Sequence, residues 1–203
     1  MLEVGAGVGT YTTRLLAAGA VSVLALESDP AALPSLRRRV DPDPRVEIRA
    51  EELPGAPSVA AAAGTFDLVV CQNVLEHIED DAGALAAMRD ALVPGGRLAL
   101  VVPNDPRLFG SLDRVYGHHR RYRRGELVAL VEEAGLEVES ARHFNLLGVL
   151  GWVVSSGRRR TAIDPRALRL FDRAVPLWRR LEDRVRPPYG LSLVVLARRP
   201  DDR

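Results

Sequence analysis

Short apolar runs alternate with stretches of helical spacing over the first 143 residues of the chain. The short runs are rich in Val, Leu and Ile, as strands of a parallel sheet are when both of their faces are buried. The predicted strands are Leu2–Val4, Ser22–Glu27, Val46–Ile48, Phe66–Cys71, Arg97–Val102, Val138–His143 and Leu191–Ala197. The predicted helices are Tyr11–Ala18, Ala31–Val40, Ala82–Leu92 and Glu126–Ala134. This alternation predicts a doubly wound α/β fold, in which helices cover both faces of a mostly parallel, seven-stranded sheet.

The pattern changes after residue 143. An apolar stretch, Phe144–Val154, leads into the triplet Arg158–Arg160 and an amphipathic segment near Pro165–Arg186. We expect residues 1–203 to form a single domain, with an insert or lid at about residues 144–190. The segment Asn145–Arg160 has two interpretations. The pattern favours a lid helix packed on the domain, and the alternative is peripheral contact with an anionic membrane surface.

The amino terminus begins abruptly with respect to this pattern. The residues Met1-Leu2-Glu3-Val4 look like the end of a buried strand rather than the start of a domain. We therefore expect that an N-terminal helix is missing, or that the true start lies upstream of Met1.

Composition limits the class of protein. The chain is 47% hydrophobic and 27% charged, which is typical of a globular domain, and no apolar run reaches the roughly 18 residues of a membrane span. Its single cysteine, Cys71, excludes an intrachain disulfide, and no Cys/His cluster has zinc-site spacing. These features, with the lack of a signal peptide, favour the cytoplasm.

Charge is distributed unevenly along the chain. Residues 1–100 contain 8 Arg and 14 acidic residues, whereas residues 101–203 contain 20 Arg and 13 acidic residues. An anionic partner is therefore expected to bind the second half.

A glycine-rich turn follows the first strand. Gly5, Gly7 and Gly9 alternate with other residues just before a predicted helix, and glycines there let the backbone approach a ligand closely. A dinucleotide fingerprint would place its third glycine at Thr10, so the spacing disfavours NAD. About 20 residues after the turn, the second strand ends at Glu27, whose carboxylate can accept hydrogen bonds from both ribose hydroxyls of an adenosine.

These residues resemble motifs of class I S-adenosylmethionine-dependent methyltransferases. The segment Leu2–Thr10 resembles motif I of that family, and Ala25–Pro30 resembles its second motif. The resemblance continues in order through Phe66–Val70, Asn73–Ile78 and Leu92–Gly96. It implies a Rossmann-like methyltransferase fold with an antiparallel last strand, methyltransferase activity, and S-adenosylmethionine as the cofactor.

The resemblance also implies a set of cofactor-binding residues. The glycines would line the methionine and ribose part, Glu3 would orient the polar end, and Glu27 would hold the ribose. Near the adenine, Arg49 or Ala50 stands where the family often has an aspartate. The predicted cofactor-binding residues are Glu3, Gly5, Gly7, Gly9, Glu27, Ser28, Glu52, Leu53, Gln72 and Asn73.

A histidine just after the fourth strand is a candidate general base. His77 has a suitable side chain and position to take a proton from a hydroxyl acceptor, but a histidine here more often caps or packs the start of a helix, so it is a candidate only. The segment Asn73–His77 also resembles the metal-binding Glu-x-x-Glu-His motif of some methyltransferases that act on quinone precursors or small RNAs. Because Asn73 replaces the first Glu, we predict no metal.

An arginine-rich segment, Gly117–Arg124, follows the fifth strand, in a region where acceptor loops of this fold class lie. It resembles the Gly-His-x-Arg-Arg-Tyr stretch of a bacterial methyltransferase subgroup of type 11 or 23. Arginine forks bind phosphate or carboxylate in a bidentate manner, so the resemblance implies an anionic small-molecule or lipid-linked acceptor. A solvated basic loop is the alternative. The predicted substrate-binding residues are His118, Arg120, Arg121 and Tyr122.

Three other functions are alternatives to this one. An NAD-dependent oxidoreductase is disfavoured by the glycine spacing and by the absence of lysine from the chain. A nucleic-acid methyltransferase would interleave aromatic and basic residues for stacking, and few aromatic residues are available in the second half, so nucleic acid is unlikely as a partner. A noncatalytic S-adenosylmethionine-binding protein is the third alternative.

Overall fold

The computed structural model describes residues 1–40, 43–156, 182, 184–185 and 187–201. Its strands are β1 (Leu2–Val4), β2 (Val23–Leu26), β3 (Val46–Arg49), β4 (Phe66–Gln72), β5 (Leu92–Pro103), β6 (Glu137–Phe144) and β7 (Ser192–Arg198). Its α-helices are α1 (Thr10–Ala17), α2 (Leu33–Val40), α3 (Pro57–Ala61), α4 (Asp81–Ala91), α5 (Ser111–Val115), α6 (Arg124–Glu133) and α7 (Leu146–Ser156). Two short 3₁₀ helices lie at Leu75–His77 and Pro106–Leu108.

All seven strands form one sheet in the order β3-β2-β1-β4-β5-β7-β6. Neighbouring strands from β3 to β5 are parallel, whereas β7 lies antiparallel to both β5 and β6. The order changes direction at β1, so the carboxyl ends of β1 and β4 border the crevice where ligands bind in open α/β sheets. The predicted fold, including the antiparallel last strand, is confirmed.

Burial explains why the central strands are short and uniformly apolar. Every residue of β1 and β2 is buried, since helices pack on both faces of the sheet there. At one edge of the sheet, β3 alternates between half-buried and exposed residues. The main core joins β1, β4, β5 and β7 to the inner faces of α4 and α6, and it fixes the carboxyl ends of the central strands relative to one another.

Local signals account for several helix ends. The Asp80 side chain accepts a 2.9 Å hydrogen bond from the Gly83 backbone N–H and so caps the start of α4. After the carboxyl end of α6, Gly135 has a φ of 85°, a left-handed conformation that suits glycine after a helix. The short helices α3 and α5 were not predicted, because five residues are too few to display a helical period.

The apolar stretch after residue 143 forms the end of β6 and then α7. The Trp152 indole N–H donates to the Leu108 carbonyl over 2.9 Å, so this helix contacts the segment after β5. Among the residues that the structure describes, no helix is long and apolar enough to cross a membrane. The triplet Arg158–Arg160 and nearly all of the predicted segment Pro165–Arg186 lie outside the described residues.

Candidate functional site

A cavity of about 430 Å³ lies at the carboxyl ends of β1, β2 and β4. This volume is in the range of small-molecule and cofactor sites. Its wall combines the glycine turn, the end of β2, the segment after β3, and the segment after β4. The lining residues are Val4, Gly5, Gly7, Leu26, Glu27, Ser28, Asp29, Glu51, Glu52, Leu53, Gln72, Asn73, Val74, His77, Ile78 and Tyr116.

The three glycines of the turn have different surroundings. A Cβ on Gly5 would overlap the Val74 Cγ2 atom, and one on Gly9 would lie 2.9 Å from the Leu36 Cδ1 atom of α2. A Cβ on Gly7 would meet nothing within 4 Å and would project into open space. Gly9 does not line the cavity, so it serves the packing of α1 against α2, whereas Gly7 leaves room for a ligand.

Glu27 fixes the turn from the neighbouring strand. Its Oε2 atom accepts a 2.5 Å hydrogen bond from the Gly7 N–H, and its Oε1 atom accepts a 2.8 Å bond from the Asp29 N–H. An ionised carboxylate has about four acceptor positions, so two remain for ligand hydroxyls. The same carboxylate therefore shapes the turn and faces the cavity.

Glu3 lies behind the turn rather than in the cavity wall. It is buried, and its Oε2 atom and the Thr12 hydroxyl have no hydrogen-bond partner among the described residues. Burial raises the pKa of Glu3, the adjacent Thr12 hydroxyl lowers it in part, and the nearby charge of Glu27 raises it further. A buried carboxyl oxygen without a partner fits the positively charged amino group of a methionine-type ligand, directly or through water.

The wall opposite the turn holds Glu51, Glu52 and Leu53. The Glu51 Oε2 atom accepts hydrogen bonds from the Ser58 N–H at 3.0 Å and the Ser58 hydroxyl at 2.6 Å, so this side chain is tied to the start of α3. Leu53 is buried and gives the wall an apolar surface. Gln72 closes the cavity on the β4 side, and its neighbour Asn73 has a φ of 51°.

His77 lines the cavity from the 3₁₀ helix that follows β4. Burial lowers its pKa, and the nearby imidazole of His118 lowers it further. A lowered pKa keeps the imidazole neutral near pH 7, which is the form that accepts a proton. Tyr116 also lines the cavity and was not predicted as a site residue. The same is true of Val74 and Ile78, although Val74 lies three residues before His77 and Ile78 directly after it.

Glu76 lies beside His77 but points into the interior. It is fully buried, neither carboxyl oxygen has a hydrogen-bond partner among the described residues, and burial raises its pKa to about 7. Ligand atoms of Glu76, His77 and His118 lie within 4.8 Å of one another, a spacing that could hold a metal ion. The prediction of no metal stays a prediction.

Asp113 organises the arginine-rich segment from within. Its fully buried carboxylate lies 2.8 Å from the His118 Nδ1 atom and accepts a 2.8 Å hydrogen bond from the Arg121 Nε–H. The Arg121 guanidinium also donates to the Asn104 carbonyl and stacks over the Trp152 ring, 4.4 Å from its centroid. Arg121 is predicted to bind substrate, and its guanidinium is buried and bound to these internal partners.

The other predicted substrate residues also face partners of their own. The Tyr122 hydroxyl donates a 2.9 Å hydrogen bond to the Asp81 carboxylate, and Tyr122 is buried. The Arg120 guanidinium lies 2.6 Å from the same carboxylate. Neither residue lines the cavity, and His118 does not either. Arg121 and Tyr122 thus have internal partners, and the prediction that these four side chains bind an acceptor stays a prediction.

Comparisons with known proteins agree with this geometry. A family model described as "Methyltransferase domain" matches residues 2–98. The mitochondrial ubiquinone biosynthesis O-methyltransferase of Schizosaccharomyces pombe is 32% identical over 100 residues, which are 49% of this chain and 36% of that protein. The ubiquinone biosynthesis O-methyltransferase of Xanthomonas axonopodis pv. citri is 31% identical over 157 residues, which are 68% of this chain and 63% of that protein. The chain thus spans less than two thirds of either relative.

A solved structure shows the same fold. The N-methyltransferase NodS from Bradyrhizobium japonicum, in complex with S-adenosyl-L-homocysteine, superposes with a TM-score of 0.63 at 18% identity, covering 98% of this chain and 77% of that one. The family match extends over the whole glycine turn and Glu27, and the remaining strands complete the fold. The motifs, the cavity and these similarities together support a class I S-adenosylmethionine-dependent methyltransferase.

Proposed function

We propose that this chain transfers a methyl group from S-adenosylmethionine to a small-molecule acceptor. The observation that carries the proposal is the arrangement of the cavity. Gly7 and Glu27 lie at the cofactor end, and His77 and Tyr116 line the wall formed by the segments after β4 and β5. S-adenosylmethionine supplies an activated methyl group when bound, so the protein needs mainly to align the acceptor with it and exclude water.

In this proposal the cofactor's charged end binds near Glu3, and its ribose hydroxyls donate to the free acceptor positions of Glu27. Ser28 and Asp29 lie next along the wall, Glu52 and Leu53 border the adenine, and Gln72 and Asn73 lie beside the methionine part. Gly5 and Gly7 allow the backbone to pass close to the ligand. This assignment is supported by the cavity lining, by the open space at Gly7, and by the buried Glu3 oxygen, which has no hydrogen-bond partner in the described part of the chain.

His77 acts as the general base when the acceptor is a hydroxyl. Its ring takes the proton that the hydroxyl oxygen releases as it receives the methyl group. The lowered pKa of His77 supports this role, because the ring is neutral and ready to accept a proton near pH 7. Tyr116, with 48% of its surface exposed, offers an aromatic face for the acceptor.

The finer part of the proposal concerns the acceptor, which we infer to be anionic or lipid-linked. The excess of arginine over acidic residues in residues 101–203 supports an anionic acceptor. The apolar helix α7, on which Val153 is 52% exposed, supports peripheral contact with a membrane that holds a lipid-linked acceptor. The relatives from S. pombe and X. axonopodis, named for ubiquinone biosynthesis, are consistent with a small-molecule acceptor.

A methyl-transfer assay tests the proposal. The protein is incubated with S-adenosylmethionine carrying a tritiated methyl group and a panel of phenols and catechols, with and without a carboxylate or phosphate group. We expect methylated product from the anionic members. The variant His77→Ala should lower kcat/KM for a hydroxyl acceptor by about 100-fold without weakening cofactor binding.

His119→Ala is the matched control, since His119 is exposed and does not line the cavity. An unchanged rate in His77→Ala would reject His77 as the base. A folded protein that binds the cofactor and methylates nothing in the panel would favour the noncatalytic binder instead.

A further inference from the structure

His118 lies directly beside a residue of the cavity wall. Its ring meets the His77 ring edge to face, with the two centroids 4.7 Å apart and an angle of 87° between the ring planes. This arrangement is favourable because the positive edge of one aromatic ring faces the negative face of the other. His77 lines the cofactor cavity and His118 does not, so the shortest route from His118 to the cavity passes through the His77 ring.

Asp113 holds the His118 ring in place. Its carboxylate lies 2.8 Å from the His118 Nδ1 atom, and it also accepts hydrogen bonds from the Arg121 Nε–H and the Gly110 N–H. These donors and the charge of Arg121 favour the ionised carboxylate, which can only accept hydrogen bonds. The His118 Nδ1 atom therefore carries the proton, and this bond sets both the tautomer and the rotation of the ring.

Backbone hydrogen bonds join the two segments that carry these histidines. The His119 N–H donates to the Glu76 carbonyl over 2.8 Å, and the His118 N–H donates to the Asp113 carbonyl over 2.9 Å. Neither bond involves the His118 ring, so both can persist when that ring is replaced. What the ring adds to these connections is its contact with the side chain of His77.

We propose that His118 is a positioning residue for His77, and that Asp113 and Arg121 hold it in that role. The inference rests on the proposed function, in which the His77 ring takes the proton of the acceptor. A general base acts when its nitrogen lies within hydrogen-bond reach of the acceptor hydroxyl, so a ring that rotates freely is a poorer base. The fixed ring of His118 restricts this rotation and keeps His77 oriented for proton transfer.

One substitution separates positioning from a purely structural role. In His118→Asn the side-chain amide N–H replaces the ring Nδ1–H and can donate to Asp113, but no ring remains beside His77. With a hydroxyl acceptor, we expect kcat to fall about 10-fold, while the KM values of the acceptor and of S-adenosylmethionine change by less than about twofold. The matched control is His119→Asn, at the exposed neighbouring histidine, which should keep the wild-type kcat.

Nuclear magnetic resonance measures the His77 ring itself and needs neither acceptor nor cofactor. The protein is produced with isotope-labelled histidine and dialysed against EDTA, so that no metal ion restrains the ring. The chain has four histidines, whose signals are assigned from single variants. We expect the order parameter of the His77 Cε1–H bond to be about 0.85 in the wild type and in His119→Asn, and to fall below about 0.6 in His118→Asn.

The two measurements separate failure of this proposal from failure of the proposed function. An unchanged His77 order parameter in His118→Asn, or a kcat equal to that of His119→Asn, would overturn the positioning role. If no acceptor is methylated, or if His77→Ala is as fast as the wild type, the proposed function fails. The order parameter alone then decides whether His118 fixes the His77 ring. Urea denaturation at the wild-type midpoint shows that His118→Asn is folded.

Discussion

The cofactor side of the cavity and the arginine-rich segment differ in what fixes their geometry. On the cofactor side, the geometry is fixed by backbone groups, since the Gly7 and Asp29 N–H groups donate to Glu27. In the arginine-rich segment, the geometry is fixed by one buried side chain, since Asp113 contacts both His118 and Arg121. The difference shows why a turn can be recognised locally, whereas the partner of an arginine depends on distant packing.

The largest effect that tests this comparison is expected at Asp113. In Asp113→Ala the Arg121 guanidinium would stay buried without its carboxylate, which should reduce the free energy of unfolding by about 3–5 kcal/mol. Urea denaturation followed by circular dichroism measures this change. Asp67→Ala, at a side chain that is 83% exposed, should cost less than about 0.5 kcal/mol. Similar small losses in both variants would show that Asp113 does not hold the segment.

A smaller effect on folding should distinguish two glycines of the turn. The Cβ in Gly5→Ala would collide with Val74, and we expect this variant to lose about 2–3 kcal/mol of stability. Gly7→Ala has no such neighbour, so only its φ of 56° should cost about 1 kcal/mol.

For ligand binding, the substitution that costs less stability should have the marked effect. Gly7→Ala should weaken S-adenosylhomocysteine binding by about tenfold at temperatures where it is fully folded, because its methyl group occupies ligand space. Denaturation and calorimetry on the same preparations check both parts. Full affinity in Gly7→Ala would contradict the placement of the ligand over this residue.

The sequence predicted the sheet well because the central strands are buried on both faces and so carry uninterrupted apolar runs. Of the ten residues predicted to bind the cofactor, a role that stays a prediction, eight line the cavity, because residues such as Gly5 and Glu27 lie just past the ends of those strands. The remaining two, Glu3 and Gly9, lie behind the wall. Gly9 packs against α2, a contact between segments that no local spacing encodes.

The acceptor side was predicted less well for a physical reason. A basic side chain in the sequence can face solvent, a ligand or a buried acid, and these outcomes have the same local pattern. Arg121 pairs with Asp113, eight residues earlier, and stacks on Trp152 of α7.

The smallest effect is expected from removal of metal ions. If the set Glu76, His77 and His118 holds no ion, dialysis against EDTA should leave both the melting temperature and the affinity for S-adenosylhomocysteine unchanged. Thermal denaturation before and after dialysis, with zinc or magnesium added back, measures this. A fall in melting temperature that the added ion restores would show that these three residues form a metal site.

Calorimetric titration with S-adenosylhomocysteine tests the central claim most directly. Wild-type protein should bind at micromolar concentrations, and Glu27→Ala should bind about 100-fold more weakly, because it loses the carboxylate that anchors the turn and accepts the ribose hydroxyls. Glu47→Ala, at a side chain that is 58% exposed on β3, should bind like wild type. Absence of binding by the folded wild-type protein, or equal affinity in Glu27→Ala, would contradict the assignment of this cavity to the cofactor.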